Sequence, residues 1–171
     1  MTSLGFRLMA AEFKIRDTFR PRKEIVTEAG IKNGYTVLDY GCGPGGYVLP
    51  LSKVVGEGGK VYELDILQDA IEMVDKLIEK NNLKNVQTIL SGCDTGLPDQ
   101  SVDVVTLYDT FHDLNDQIAV LKEIRRILKP SGALSFSDHH MKEPDIKSAI
   151  TNHSLFKLQE KNKLTYTFIP N

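Results

Sequence analysis

A chain of 171 residues has room for one domain and little for a second. Its composition is 41% hydrophobic and 26% charged, with a net charge of −2 and no run long and apolar enough to span a bilayer, which excludes the disordered and membrane-spanning classes and the broad cationic surface that nucleic acid or anionic lipid requires. Two cysteines, Cys42 and Cys93, are too few for a disulfide framework, so a soluble protein with reduced thiols in the cytoplasm is expected.

Residues 1–20 interleave Leu4, Phe6, Leu8, Met9, Phe13, Ile15 and Phe19 with charges, the pattern of a helix with an apolar stripe. Arg7, Glu12 and Lys14 interrupt that stretch, so no secretory signal is expected. Pro21 opens a short second helix carrying Ile25, Val26 and Ala29, and Gly30 ends it. Residues 36–40 read as a strand running into a glycine-rich turn from Gly41 to Gly46. A helix through Val48, Leu49, Leu51 and Val54 follows, with Pro50 in its first turn, and then a strand from Lys60 to Asp65. Leu67, Ala70, Ile71, Val74, Leu77 and Ile78 form an i, i+3, i+4 stripe on an amphipathic helix. Strands are predicted from Val86 to Leu90 and from Val102 to Tyr108, then a helix through Ile118, Leu121, Ile124, Ile127 and Leu128, stopped by Pro130 and Gly132. Ala133 to Ser137 is a fifth strand, and Pro144 to about Asn152 a weak helix. Phe156 and Leu158 face Leu164, Tyr166 and Phe168 across Lys161-Asn162-Lys163 as a closing hairpin. Alternating strands and helices imply an α/β, doubly wound, mostly parallel, Rossmann-like sheet covered on both faces. The whole chain, 1–171, is expected to form one domain, with residues 1–30 as a helical cap.

The turn holds G-x-G-x-x-G between a strand and a helix, where the backbone can bend sharply and a ligand can approach closer than any Cβ allows. Dinucleotide-binding turns share that pattern, and Asp39 separates the two cases. At the carboxyl end of the strand it points into the crevice where open α/β sheets bind ligands. At about 5 Å and an effective dielectric near 20, a like charge there costs roughly 3 kcal/mol. A diphosphate is penalised and a cationic head gains. Asp65 ends the second strand, where a carboxylate can accept both hydroxyl protons of a ribose, with Glu63 as a fallback one step back from the edge. Asp94 follows the third strand, in a loop that could meet an adenine amine.

These residues resemble the class I S-adenosylmethionine-dependent methyltransferases, in their small-molecule branch. Val37-Leu38-Asp39-Tyr40-Gly41-Cys42-Gly43-Pro44-Gly45 is similar to the family's cofactor turn, and Val61-Tyr62-Glu63-Leu64-Asp65-Ile66 to its second-strand acid motif. Gly92-Cys93-Asp94 with the stretch from Leu97 to Val105 resembles its adenine loop and fourth strand, and the stretch from Leu121 to Leu134 its following helix and fifth strand. The resemblance covers about residues 25 to 140 and extends through the hairpin. Ser131 stands where glycine is usual, and Leu67 where a small polar residue often starts the helix. It implies seven strands in the order 3-2-1-4-5-7-6 with strand 7 antiparallel. It also implies S-adenosyl-L-methionine as cofactor and S-adenosyl-L-homocysteine as product. Asp39, Gly41 and Gly43 are then expected along the methionine portion, with Tyr40 and Cys42 in the same turn. Asp65 and Ile66 fall at the ribose, Asp94 with Cys93 and Thr95 at the adenine, and Tyr108 with Asp109 beside the transferred methyl.

Methyl transfer is an in-line displacement, so positioning supplies much of the rate, and a protonated acceptor also needs a base. His112, after the fourth strand, is the first candidate for a catalytic role. His139 and His140 follow the fifth; in an extended chain neighbouring side chains diverge, and as metal ligands with Asp138 they lack a further partner, so no metal is expected. Asp39 and Asp94 make the surroundings of Cys42 and Cys93 anionic, so both read as packing residues. The N-terminal stripe reads as a lid over the acceptor, a cover for a sheet edge or a homodimer contact. The leading function is methyl transfer to a small-molecule acceptor, with no nucleic-acid or membrane partner. The alternative is a cofactor-binding domain without transfer activity. A nicotinamide-dependent reductase is disfavoured, because no tyrosine has lysine four residues later and no substrate domain fits.

Overall fold

The computed structural model describes residues 22–171. The expected helix over residues 1–20, Pro21, and the lid, edge-cover and dimer readings attached to that segment lie outside the described residues. Thirteen elements follow in order. These are α1 (Arg22–Glu28), β1 (Thr36–Tyr40), α2 (Val48–Val55), β2 (Lys60–Asp65), α3 (Gln68–Asn81), β3 (Val86–Leu90), β4 (Val102–Tyr108) and a single 3-10 turn (Phe111–Asp113). Then come α4 (Gln117–Ile127), β5 (Leu128–Ser137), α5 (Glu143–Thr151), β6 (Phe156–Lys161) and β7 (Tyr166–Pro170). The seven strands form one sheet in the order β3-β2-β1-β4-β5-β7-β6, with β7 antiparallel to both neighbours, as the resemblance implies.

Strand alternation builds a core on each face. Val37, Val61 and Val104 point to the face covered by α2 and α3, where they meet Val48, Leu51, Ile71 and Val74. Leu38, Leu64, Val105, Leu107 and Phe136 point to the other, with Leu121 and Ile124 of α4 and Ile146 and Ile150 of α5. Phe136 is edge-on to both Phe111 and Phe168, which locks β5 to the 3-10 turn and to β7.

Two boundaries differ from the sequence reading. Helix α4 ends at Ile127, and β5 starts at Leu128, five residues before the expected Ala133. Leu128 pairs with Val102 and Ala133 with Val104, so Lys129 to Gly132 form a bulge, which is where a strand tolerates Pro130. The hairpin turn runs to Thr165, so Leu164 sits in it and not in β7. The Glu28 carboxylate of α1 accepts from the Leu164 and Thr165 amides and the Thr165 hydroxyl at 2.9–3.3 Å, which ties that turn to α1.

Candidate functional site

The carboxyl edge of the sheet is set by register. Asp39 of β1 lies opposite Glu63 of β2 and Thr106 of β4. Thr88 and Ser135 continue the level on β3 and β5. A row of polar side chains therefore crosses five strands beneath the crevice mouth. Asp39 is 2% exposed and lines the crevice, and its Oδ1 accepts from the Thr106 hydroxyl at 2.6 Å. Burial pushes its pKa up to about 6. Glu63, the register partner of Asp39, is fully buried, whereas Asp65 lies two residues nearer the carboxyl edge.

Above Asp39 the turn folds back on β2. The Gly41 and Cys42 amides donate to the Leu64 carbonyl at 2.8 and 3.0 Å. The Gly43 amide donates to Asp65 Oδ2 at 2.9 Å, and the Leu67 amide to Asp65 Oδ1 at 2.9 Å. Asp65 thus clamps the turn and also caps the start of α3, where Leu67 offers no side-chain cap. Each of its oxygens retains a second lone pair. Gly41 has φ +79°, and a Cβ there would lie 2.4 Å from the Thr110 side chain. Gly43 has φ +52° with open space where a Cβ would stand, and it lines the crevice.

The other expected residues divide between crevice and scaffold. Tyr108 lines the crevice, donates to or accepts from Ser135 Oγ at 2.7 Å, and packs its ring 5.2 Å from that of Tyr47. Burial holds its hydroxyl neutral, well above its ordinary pKa. Ile66 stands 64% exposed at the end of β2, with its Cδ1 over Gly92. Asp94 is exposed and accepts from the Gly96 amide at 2.9 Å; Cys93 is half-buried beside it. Tyr40 points into the core, and its hydroxyl donates to the Gly92 carbonyl at 2.8 Å, fixing that loop to β1. Cys42 is a buried thiol, pushed up by burial and by the Glu63, Asp39 and Asp65 charges. Thr95 turns inward: its amide and hydroxyl donate to Glu123 Oε1 at 3.0 and 2.5 Å. Arg126 holds that Glu123 carboxyl down at about 2. Tyr47, Thr110 and Arg22 complete the crevice. For Tyr47 and Thr110 the only sequence signal was proximity to the turn or to the end of β4, and for Arg22 it was membership of a cluster of basic residues ahead of β1.

Beyond β4 and β5 the histidines gather. His112 Nδ1 lies 2.8 Å from Asp138 Oδ2, which also accepts from the His112 amide at 3.1 Å. His112 Nε2 lies 3.4 Å from Asp113 Oδ2. His139 makes the same double contact to Asp109 Oδ1, at 2.9 Å from its amide and 2.7 Å from Nδ1. The chain turns after Ser137, so the His140 ring lies tilted against both His139 and His112, at 3.8 and 4.2 Å between ring centroids. The divergence expected of an extended chain does not occur. His139 lines a second cavity of about 310 Å³, with Asp138, Met141, Lys161, Lys163 and Tyr166. Its partner Asp109 lines the crevice, whereas His112 lines neither space. Among the described residues no three His, Cys, Asp or Glu side chains converge as metal ligands would.

A family model described as a methyltransferase domain matches residues 31–169. The chain belongs to this family. It is similar to demethylmenaquinone methyltransferases, at 38% identity over 113 residues for that of Lactobacillus johnsonii (65% of this chain, 46% of that protein). For that of Lactococcus lactis the identity is 32% over 157 residues, covering 90% and 59%. The chain thus spans about half the length of these curated relatives. Among solved structures it resembles an S-adenosylmethionine-dependent methyltransferase from Aquifex aeolicus, with TM-score 0.76, 28% identity and coverage of 87% and 89%. The family and the class I methyltransferase fold agree with the resemblance and with the strand order.

Proposed function

We propose that this methyltransferase-family chain binds S-adenosyl-L-methionine in the crevice over β1 and β2 and transfers its methyl group to a small-molecule acceptor, releasing S-adenosyl-L-homocysteine. The observation that carries the reading is a buried Asp39 carboxyl at the crevice floor, with Gly43 lining the same crevice and open space where a Cβ would stand. When bound, the cofactor supplies a methyl group on a positively charged sulfur, already activated for in-line displacement.

The residues of this chain then bind and orient. Asp39 supplies negative charge, and Arg22, which lines the same crevice over the Tyr47 ring, supplies a cation suited to the carboxylate of an amino-acid tail. Asp65 offers its spare lone pairs to the ribose hydroxyls, while Ile66 and Cys93 flank the adenine and Asp94 accepts from its amine. Tyr108 stays neutral beside the sulfur. The 310 Å³ cavity lined by His139, whose partner Asp109 lines the crevice, is of a size that suits a compact acceptor.

For an acceptor that must lose a proton, His112 is the candidate base, held through Nδ1 by Asp138 and with Nε2 3.4 Å from the exposed Asp113 carboxylate. A second reading is favoured by one observation: His139 lines the second cavity and is held by Asp109, which lines the crevice. Both cysteines are free, in keeping with the cytoplasm, and no described helix is long and apolar enough to cross a membrane.

Titration calorimetry with S-adenosyl-L-methionine and S-adenosyl-L-homocysteine tests the cofactor, and absence of heat from both refutes it. Demethylmenaquinone, the compound in the relatives' names, is the first acceptor to assay. Cofactor binding with no transfer across a broad acceptor panel would favour the binding-domain alternative.

A further inference from the structure

Register forces two carboxyls together beneath the crevice. Asp39 and Glu63 are register partners on neighbouring parallel strands, and they are 2% and 0% exposed. As two carboxylates they leave three oxygens without a donor among the described residues: Asp39 Oδ2 and both oxygens of Glu63. Buried acceptors in that number are rare in a folded protein, and two like charges side by side out of water are costly.

We propose that Glu63 is a positioning residue for cofactor binding, which holds one proton against Asp39 Oδ2 so that the pair carries a single negative charge on the crevice side. The proposal rests on the cofactor reading above. One proton turns Glu63 into a donor, gives Asp39 Oδ2 its missing partner and removes the repulsion. The Thr106 hydroxyl already donates to Asp39 Oδ1, so the Asp39 carboxylate is held from both sides with its charge facing the crevice.

The surroundings decide where this pair titrates. Arg22 on α1 favours the charged form of Asp39, and Asp65 on β2 opposes it. Cys42 in the turn and Tyr108 on β4 are held neutral by burial, with Tyr47 against the latter. On β3, Thr88 lies opposite Glu63 and donates to Asp75 of α3 at 2.9 Å. Burial and the Asp39 charge push Glu63 well above the usual carboxylate range, and Asp39 stands at about 6. Below that pH Asp39 takes up a second proton and the pair is neutral. A cationic head then binds only as that proton leaves for solvent.

The test is calorimetry of both cofactor compounds on the full chain from about pH 5 to pH 8, in two buffers of different ionisation enthalpy. With Asp39 half-titrated at about 6, affinity falls about ten-fold between pH 7 and pH 5, with up to one proton released per cofactor at the acid end. Glu63→Leu removes the donor and moves this acid limb up by about one pH unit, and Glu63→Gln, which donates at every pH, restores it. If the Leu variant does not fold, infrared spectroscopy decides: a protonated-carboxyl band at neutral pH, absent from Glu63→Gln, supports the shared proton, and its absence from the native protein overturns it. Binding with a flat pH profile and no proton release overturns this proposal alone. Failure of both compounds to bind at any pH overturns the cofactor reading and this proposal with it.

Discussion

Replacing Glu63 by Gln should make the protein more stable, and only where pH lies above the ordinary carboxyl range. Glu63 has an unperturbed pKa of 4.5, and burial and the Asp39 charge raise it well above that in the fold. Between those two values the native state keeps a proton that the unfolded chain releases. The stability contribution of this group is therefore full below about 4.5 and is lost as pH rises, at ~1.4 kcal/mol per pH unit while the folded group stays protonated. Glutamine has the same shape, carries no charge at any pH and offers an N–H donor to Asp39 Oδ2. Native and variant should match below about pH 4.5 and separate as pH rises, each ~1.4 kcal/mol of separation being worth roughly 3–6 °C in Tm for a chain of this length. Urea unfolding of both proteins at about pH 4.5, 5.5 and 6.5, with the m-values compared, measures it. A difference that does not change with pH would mean that Glu63 holds no extra proton, and a variant less stable at the higher pH would mean that the carboxyls are not in contact.

Other substitutions separate scaffold from site. Asp65→Ala removes the acceptor for the Gly43 and Leu67 amides as well as the spare lone pairs, and should weaken binding of S-adenosyl-L-homocysteine by about 1–3 kcal/mol, or roughly 5- to 150-fold by calorimetry; unchanged affinity would misplace the ribose. Gly41→Ala drives a Cβ into Thr110 at positive φ and should destabilise the fold by more than about 1 kcal/mol. Gly43→Ala meets no protein atom within 4 Å, so it should cost about 1 kcal/mol of stability yet abolish detectable cofactor binding, a split read by pairing thermal melts with calorimetry. Phe136→Ala empties the contact between the 3-10 turn, β5 and β7 and should lower unfolding free energy by about 3–5 kcal/mol in urea, with a smaller loss showing that the aromatic trio collapses into the space.

What could be read before the structure was local, and what could not depended on register or on a turn. Alternating strand and helix periods suffice to place the central strands, and Asp39 and Asp65 are strand-end acids whose direction follows from alternation within one strand. The sheet order came through the resemblance. Asp39 and Glu63, in contrast, lie 24 positions apart, and nothing in either strand alone says that they face each other. Thr95 was grouped with the adenine loop by proximity, but its hydroxyl is drawn to Glu123 on a helix that begins 22 residues later. Pro130 and Gly132 were read as a helix stop, which they are not alone in providing: the helix ends earlier, and these two residues shape a bulge in which a Cβ at Gly132 would lie 2.9 Å from the Asp103 carbonyl. The two neighbouring histidines were separated on the premise of extended backbone, and a turn after Ser137 brings their rings into contact.

The polar level formed by Thr88, Glu63, Asp39, Thr106 and Ser135 lies between an apolar core and the crevice. A valine or leucine at Glu63 would fill the same space with no proton to hold, so stability alone does not account for a carboxyl there. What the carboxyl adds is a second partner for Asp39. Thr106 alone leaves one oxygen of a fully buried acid without a donor, and such an acid tends to bind a proton and lose the charge that attracts a cation. A protonated neighbour lets Asp39 remain ionised at neutral pH while the pair as a whole carries only one charge. The stability forgone above the ordinary carboxyl range and the charge kept at the crevice floor are two consequences of one proton, so Glu63→Gln should retain cofactor affinity at neutral pH while gaining stability. If it gained stability and lost affinity there, the hydrogen bond from Glu63 would not be what holds the Asp39 charge in place.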